Sequence, residues 1–339
     1  MPHSFKLSRR IARFRAPLLV LASVVLAACD STEPQSSTIP EIADRPPADS
    51  VGTNSDDTST VVAPTVAAPS LGTAFAGGIP IGIARQPNTA FGNVYNGAVR
   101  QLTPDGTISN LSSIKSQGGR IFLMMAGNQY YYKNADGTFS LSKWKARVDR
   151  FRRINFGSYV NDGTVIAHYL IDEPYDPANW AGKPIPGSTL EEMAKYSKQI
   201  WPNLTTVVRA EPYRIKWSGT YRYLDAAWAQ FYNPRGALDP GEYLRQSVAD
   251  AQRMGLGLVV GLNLLGGAPP LIGPGKGGSP MSVTQVRNWG SAMLASSYAC
   301  AFVSWTWDTN YLQRSGMADA MKYLRSKAEN RPAKSCKGG

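Results

Sequence analysis

The sequence predicts an α/β fold: a single (β/α)8 TIM-type barrel over residues 74–339, preceded by a leader (1–28) and a tether (29–73). Three observations carry this. Short apolar, β-branched runs alternate with amphipathic stretches that have legible helix starts, the pattern of a parallel sheet covered by helices. Eight such runs fall within about 260 residues, close to the usual length of a closed eight-stranded barrel. The first run leads into Ile81-Gly-Ile-Ala-Arg-Gln-Pro87, which is not the Gly-rich phosphate turn that a doubly wound open sheet, the competing architecture, would normally carry.

The leader comes first. Lys6, Arg9, Arg10, Arg13 and Arg15 precede a 13-residue apolar run, Ala16 to Ala28, which is too short and wrongly flanked to span a bilayer and reads as a secretory signal peptide. The run closes on Leu26-Ala27-Ala28-Cys29, which resembles the lipobox of bacterial lipoproteins. That resemblance implies cleavage before Cys29, diacylation of its thiol and anchorage in a membrane of the cell envelope. An ordinary signal peptide with an incidental Cys29 is the other reading. The tether is rich in Ser, Thr, Pro, Ala and acids and has no aromatic residue before position 74, so it cannot bury enough apolar surface to offset the entropy of ordering.

The candidate strands lie at 79–84, 94–101, 120–126, 165–172, 204–210, 224–231, 256–264 and 301–307. Helix starts sit between most of them: Thr103-Pro104, then capping boxes at Ser188/Glu191, Asp239/Glu242 with Pro240 at the first position, and Ser282/Gln285. Residues 141–155 form a further helix, with Leu141, Trp144, Val148 and Phe151 on one side and Lys143, Lys145, Arg147, Arg150, Arg152 and Arg153 opposite. The connections 84–94 and 211–223 hold no convincing helix.

Of the formal net charge of +12, the leader contributes +5 and the tether −6, which leaves +13 on the folded part. A surface this basic attracts anionic partners, or is a solvated face with no specific ligand. Export argues against nucleic acid. With Cys29 lipidated, Cys300 and Cys336 remain and should pair as a disulfide outside the cytoplasm. The folded part holds one histidine, His168, inside the fourth run, where a buried, hydrogen-bonded role outweighs a ligand role. Without a second histidine or a thiol cluster neither a metal site nor a cofactor is expected.

The chemistry gathers at Asp172-Glu173-Pro174, directly after the apolar run Val165 to Ile171. Two acids at the end of a buried strand must meet water, a pocket or a partner, because an unpaired buried carboxylate is costly. Barrels keep their active sites at this end of the strands. Here the chain resembles the (β/α)8-barrel glycoside hydrolases, many of which place an acid/base glutamate at the end of strand four within Asn-Glu-Pro or a related tripeptide. The resemblance implies that Glu173 protonates the glycosidic oxygen, and that Asp172 holds a sugar hydroxyl or tunes its neighbour. Glycosidic cleavage needs a second carboxylate. Retaining barrels of this type put it at the end of strand seven, where this chain has Gly261-Leu-Asn263-Leu-Leu-Gly-Gly267 and no acid. Glu211, which repeats the strand–Glu–Pro pattern after the fifth run, and Asp308, after the eighth, are the candidates for the partner role.

Aromatic residues cluster after the strands: Tyr130-Tyr131-Tyr132, Tyr175 and Trp180, Tyr213 and Trp217, Tyr232, and Trp305, Trp307 and Tyr311. Flat rings can stack on pyranose faces, although part of such a set ordinarily belongs to the core. Tyr175, Gln230, Tyr232, Asn263, Trp305 and Trp307 are therefore the candidate saccharide contacts, with Asp172 beside them. Period two places Trp305 and Trp307 on one strand face, Trp307 nearer the rim. The Gly/Pro-dense loop 266–280, with Lys276, follows the seventh strand. Two function classes result: an exported, lipid-anchored enzyme acting on glycosidic bonds of a saccharide, for which the basic charge admits an anionic one, or a barrel that binds saccharide without cleaving it. The sugar, linkage, stereochemical outcome and oligomeric state are left open.

Overall fold

The computed structural model describes residues 78–270 and 278–338; the leader, Cys29, the tether and Lys276 lie outside them. Eight parallel strands close into a barrel in sequence order: β1 (Ile81–Ile83), β2 (Gly97–Gln101), β3 (Arg120–Met124), β4 (Val165–Asp172), β5 (Thr205–Arg209), β6 (Ala226–Phe231), β7 (Gly257–Leu262) and β8 (Ala299–Ser304). β8 returns to β1 through Ile81–Phe302, Gly82–Val303 and Ile83–Ser304, so no edge is left unpaired. Every predicted strand is present, most of them trimmed by a residue or more at their ends.

The helices are α1 (Thr107–Ser116), α2 (Leu141–Asp149), α3 (Gly157–Asn161), α4 (Gly187–Ile200), α5 (Pro240–Arg253), α6 (Val283–Met293), α7 (Thr309–Leu312) and α8 (Met317–Glu329). Two predicted caps form. Asp239 accepts from the Glu242 N–H with Pro240 in the first turn of α5, and Ser282 and Gln285 close a reciprocal capping box on α6. Two do not. α1 starts after Gly106 with no side-chain cap. α4 starts one residue before Ser188, and its Glu191 turns away from the helix to accept from the N–H groups of Arg222, Tyr223 and Leu224. That carboxylate thereby organises the β5–β6 connection, which has only the single turn Pro212–Ile215, as the β1–β2 connection has only Asn88–Ala90. The predicted helix 141–155 stops at Asp149, while Trp144, Val148 and Phe151 are buried as its stripe requires.

The core has two layers. One fills the lumen, with Val99, Phe122, Tyr169, Val207, Trp228, Val259 and Val303 pointing inward from successive strands. The other packs the strands' outer faces against the helices. His168 belongs to the outer layer. It is fully buried, bonded through Nδ1 to Ser197 Oγ at 2.8 Å and stacked 5.8 Å from Trp144; burial pushes its imidazole down to about 3.

Beneath the barrel, at the N-terminal ends of the strands, the tail returns. Cys336 is bonded to Cys300 of β8, and the Gly338 N–H donates to Asp225 O at 3.0 Å. Gly257 leaves room for this tail, since a Cβ there would lie 2.4 Å from Cys336 O.

Candidate active site

At the C-terminal rim a cleft of about 480 Å³ opens over the ends of β4 to β7, lined by Glu173, Tyr175, Asp176, Pro177, Arg209, Glu211, Arg214, Gln230, Tyr232 and Asn263. Glu173 enters it with a φ of 39°, the left-handed region that costs a non-glycine residue about 1–3 kcal/mol. The surrounding chain holds this conformation from both sides of the residue. The Glu173 N–H donates to Arg209 O at 3.0 Å, and Glu173 O accepts from Asp176 N–H at 3.1 Å and from the indole of buried Trp180 at 3.0 Å. The backbone thus turns at the end of β4 and presents the side chain to the cleft.

Arg209, the last residue of β5, organises the charges. Its side chain is 10% exposed, and it binds Glu173 Oε1 through Nη2 at 2.7 Å, Asp172 through Nε, and Gln230 Oε1 through Nη1 at 3.2 Å. Its guanidinium also lies 5.3 Å from the centroid of Trp305. Burial by itself would lower the guanidinium's pKa, but the charges of Asp172 and Glu173 outweigh it, and the net shift is upward. For Glu173 the balance differs: burial pushes the carboxyl up, Arg209 opposes it, Asp172 adds to it, and the net direction is upward. Asn179 donates to Glu173 Oε2 at 3.3 Å from the turn Pro177–Asn179. An upward shift is the direction that general acid work requires of a carboxyl.

Glu211 reaches the cleft from the end of β5 and pairs with Arg214 Nε at 3.1 Å. Arg214 stacks 4.5 Å from the Tyr175 ring and 5.0 Å from Tyr213. Burial, then Glu211 and Glu173, raise the Tyr175 hydroxyl, so it stays protonated and available as a donor.

The cleft therefore brings together Glu173, Glu211, Tyr175, Gln230, Tyr232 and Asn263 of the predicted set. Asp172 is turned to Arg209 and does not line the cleft. Asp308 is taken as a cap: its carboxylate accepts from the Tyr311 N–H at 2.7 Å, closing the N-terminus of α7. It does not line the cleft, so of the two predicted partner carboxylates only Glu211 does, with Asp176 a third acid in the lining.

Trp305 and Trp307 do not share a face, because β8 ends at Ser304 and the strand alternation ends with it. Trp305 packs with the lumen layer, whereas Trp307 packs with the outer core, 5.7 Å edge-on to Tyr95, and donates to Thr309 Oγ1. Of the two, Trp305 is the one beside Arg209. Tyr132, Trp180 and Tyr311 are buried in loop packing, while Tyr130, Tyr131, Tyr213 and Tyr232 remain exposed.

Arg209 is absent from the predicted site set: from the sequence it is, with Arg214, a possible ion-pair partner of Glu211, and the structure gives Glu211 to Arg214 and Arg209 to Asp172 and Glu173. The signal for Arg209 was a lone cation ending the otherwise uncharged strand Thr205-Thr-Val-Val-Arg209, beside a strand that ends in two acids. Among the described residues no group of three or more His, Cys, Asp or Glu is placed to hold a metal ion.

No protein-family model matches the chain, and no curated protein matches it in sequence. Solved structures do resemble it in shape. A β-glucanase of Saccharophagus degradans in complex with cellotetraose aligns over 75% of this chain and 89% of its own, with a TM-score of 0.51 and 12% identity. A cellulase–inhibitor complex aligns over 73% and 92%, with a TM-score of 0.49 and 14% identity. A chitinase of Pseudoalteromonas aurantia aligns over 73% and 99%, with a TM-score of 0.42 and 12% identity. At these identities the likeness is one of fold: the chain has the (β/α)8 barrel that the β-glucanase has.

Proposed function

We propose that the barrel is a glycosidase, with Glu173 as the acid that protonates the leaving glycosidic oxygen and Glu211 as the second carboxylate, acting on water or on the anomeric carbon. The observation that carries this reading is Glu173 itself. It is fixed at the end of β4 by both of its backbone groups, aimed into a cleft that also holds Glu211, and its carboxyl is raised by burial. Gln230, Asn263, Tyr175 and Tyr232 add the hydroxyl-binding and ring-stacking groups that a sugar needs. The leader motif ending in Cys29 and the acidic tether support an exported enzyme anchored to a membrane of the cell envelope by lipid. Mass spectrometry of the mature N-terminus tests the anchor.

A barrel that binds saccharide without cleaving it is the second reading, favoured by the absence of an acid at the end of β7 and by the Arg214 pair that occupies Glu211. A polysaccharide panel assayed with wild type and Glu173→Gln separates them. The enzyme reading expects turnover in wild type, lost in Glu173→Gln with binding retained. Binding without turnover in wild type would replace it with the second.

A further inference from the structure

We propose that Arg85, oriented by Trp305, is a binding site for the carboxylate of an acidic sugar unit, a uronate, next to the bond cleaved at Glu173. This deepens the saccharide reading above and rests on it. Arg85 follows β1 at the C-terminal rim and is exposed. It adopts a φ of 66°, one of three non-glycine residues of the described set in the left-handed region; another is Glu173. Such a conformation is held by its surroundings, here through the Arg85 N–H to Val99 O at 3.0 Å.

Two guanidiniums address the same indole: Arg209 at 5.3 Å from the Trp305 centroid, arriving from β5, and Arg85 at 4.9 Å, arriving from β1. They differ in what their N–H groups do. Those of Arg209 are engaged by Asp172, Glu173 and Gln230. Arg85 has no ion pair and no side-chain hydrogen bond among the described residues; the ring contact is its only side-chain interaction. A guanidinium lying over an aromatic ring keeps its in-plane donors free, and that planar fork matches a carboxylate in bidentate geometry. The result is a pre-oriented cation with unused donors, one indole away from the arginine that holds Glu173. Neutral sugars offer such a fork only hydroxyls, whereas a uronate offers the matching anion. The +13 charge of the folded part attracts an acidic polymer in the same sense.

The test is equilibrium binding of uronate oligosaccharides (oligogalacturonate, oligomannuronate and hyaluronan fragments), each paired with its carboxyl-reduced derivative, to wild type, Arg85→Gln and Arg85→Lys. Wild type should prefer the acidic member of at least one pair. Arg85→Gln should lose about tenfold to a hundredfold for that member and leave the reduced one unchanged. Arg85→Lys, which keeps the charge but not the fork, should retain part of the preference. Equal binding of acidic and reduced oligosaccharides, or equal losses for both in Arg85→Gln, would overturn the site while leaving the saccharide reading intact. Absence of binding to either series and to neutral cello-, xylo- and chito-oligosaccharides would overturn both. Thermal unfolding of each variant separates a lost contact from a lost fold.

Discussion

Replacing Arg209 by Met keeps most of the side chain's length and apolar packing and removes the charge shared by Asp172 and Glu173. Removing one member of a buried ion pair typically costs about 3–5 kcal/mol, because the other charge is left without compensation. The carboxylates here are 30% and 29% exposed, so water screens part of the loss, and the lower figure applies: about 3 kcal/mol at pH 7. The deficit should depend on pH, with a sign that follows from Glu173. Its carboxyl is already raised in the folded protein, and loss of the Arg209 charge, the influence that lowers it, raises it further. A carboxyl raised on folding contributes stability below its unfolded value and loses it as pH rises through the folded value. The variant should therefore approach wild type as pH falls toward the unfolded value of 4.5 and fall behind as pH rises to 7. Urea unfolding at both pH values measures this. Arg209→Met/Glu173→Gln should be less destabilised than the sum of its single variants. A deficit under about 1 kcal/mol, or one equal at both pH values, would refute the charge argument and leave Arg209 a packing residue.

Two other outcomes follow from the same structure. Breaking Cys300–Cys336, whose cysteines are 36 residues apart, should cost about 4 kcal/mol in the chain-entropy model. Cys300→Ser/Cys336→Ser and reductant-treated wild type should shift the urea midpoint alike, and the tail beneath the barrel should become the first site of proteolysis. His168, held down to about 3 from an unfolded 6.5, contributes stability above pH 6.5 that is lost as pH falls, because the unfolded chain takes up the proton first. Between pH 6.5 and 5 the stability difference between wild type and His168→Gln, in which the opposing contribution of Glu173 cancels, should fall with a slope approaching about 1.4 kcal/mol per unit.

The barrel was legible because strand periodicity and helix caps are local signals. Val165 to Ile171 reads as a strand from its β-branched content alone, and Asp239-Pro240 and Ser282 announce their helices within four residues. What stayed hidden was non-local. The choice of Arg209 between Glu211 and the acids of β4 depends on the lateral register of β5 against β4, where Asp172 pairs with Arg209, and no local pattern encodes it. Asp308 carries the same letters whether it caps a turn or faces a ligand; its role was fixed by the position of Tyr311. Trp305 and Trp307 were misjudged relative to each other because period two was extended past Ser304, where the strand ends. Glu191 looked like half of a capping box, and the loop 222–224, 31 to 33 residues on, claimed it.

The most direct test of the account is the pH dependence of kcat/KM on a hydrolysed saccharide, for wild type and Glu173→Gln. Wild type should show an alkaline limb set by a carboxyl above the ordinary glutamate value, since the acid must be protonated to act. Glu173→Gln should lose that limb and fall about a hundredfold to ten-thousandfold in rate. A Gln variant within tenfold of wild type, or one with the alkaline limb unmoved, would contradict the assignment of Glu173 as the acid.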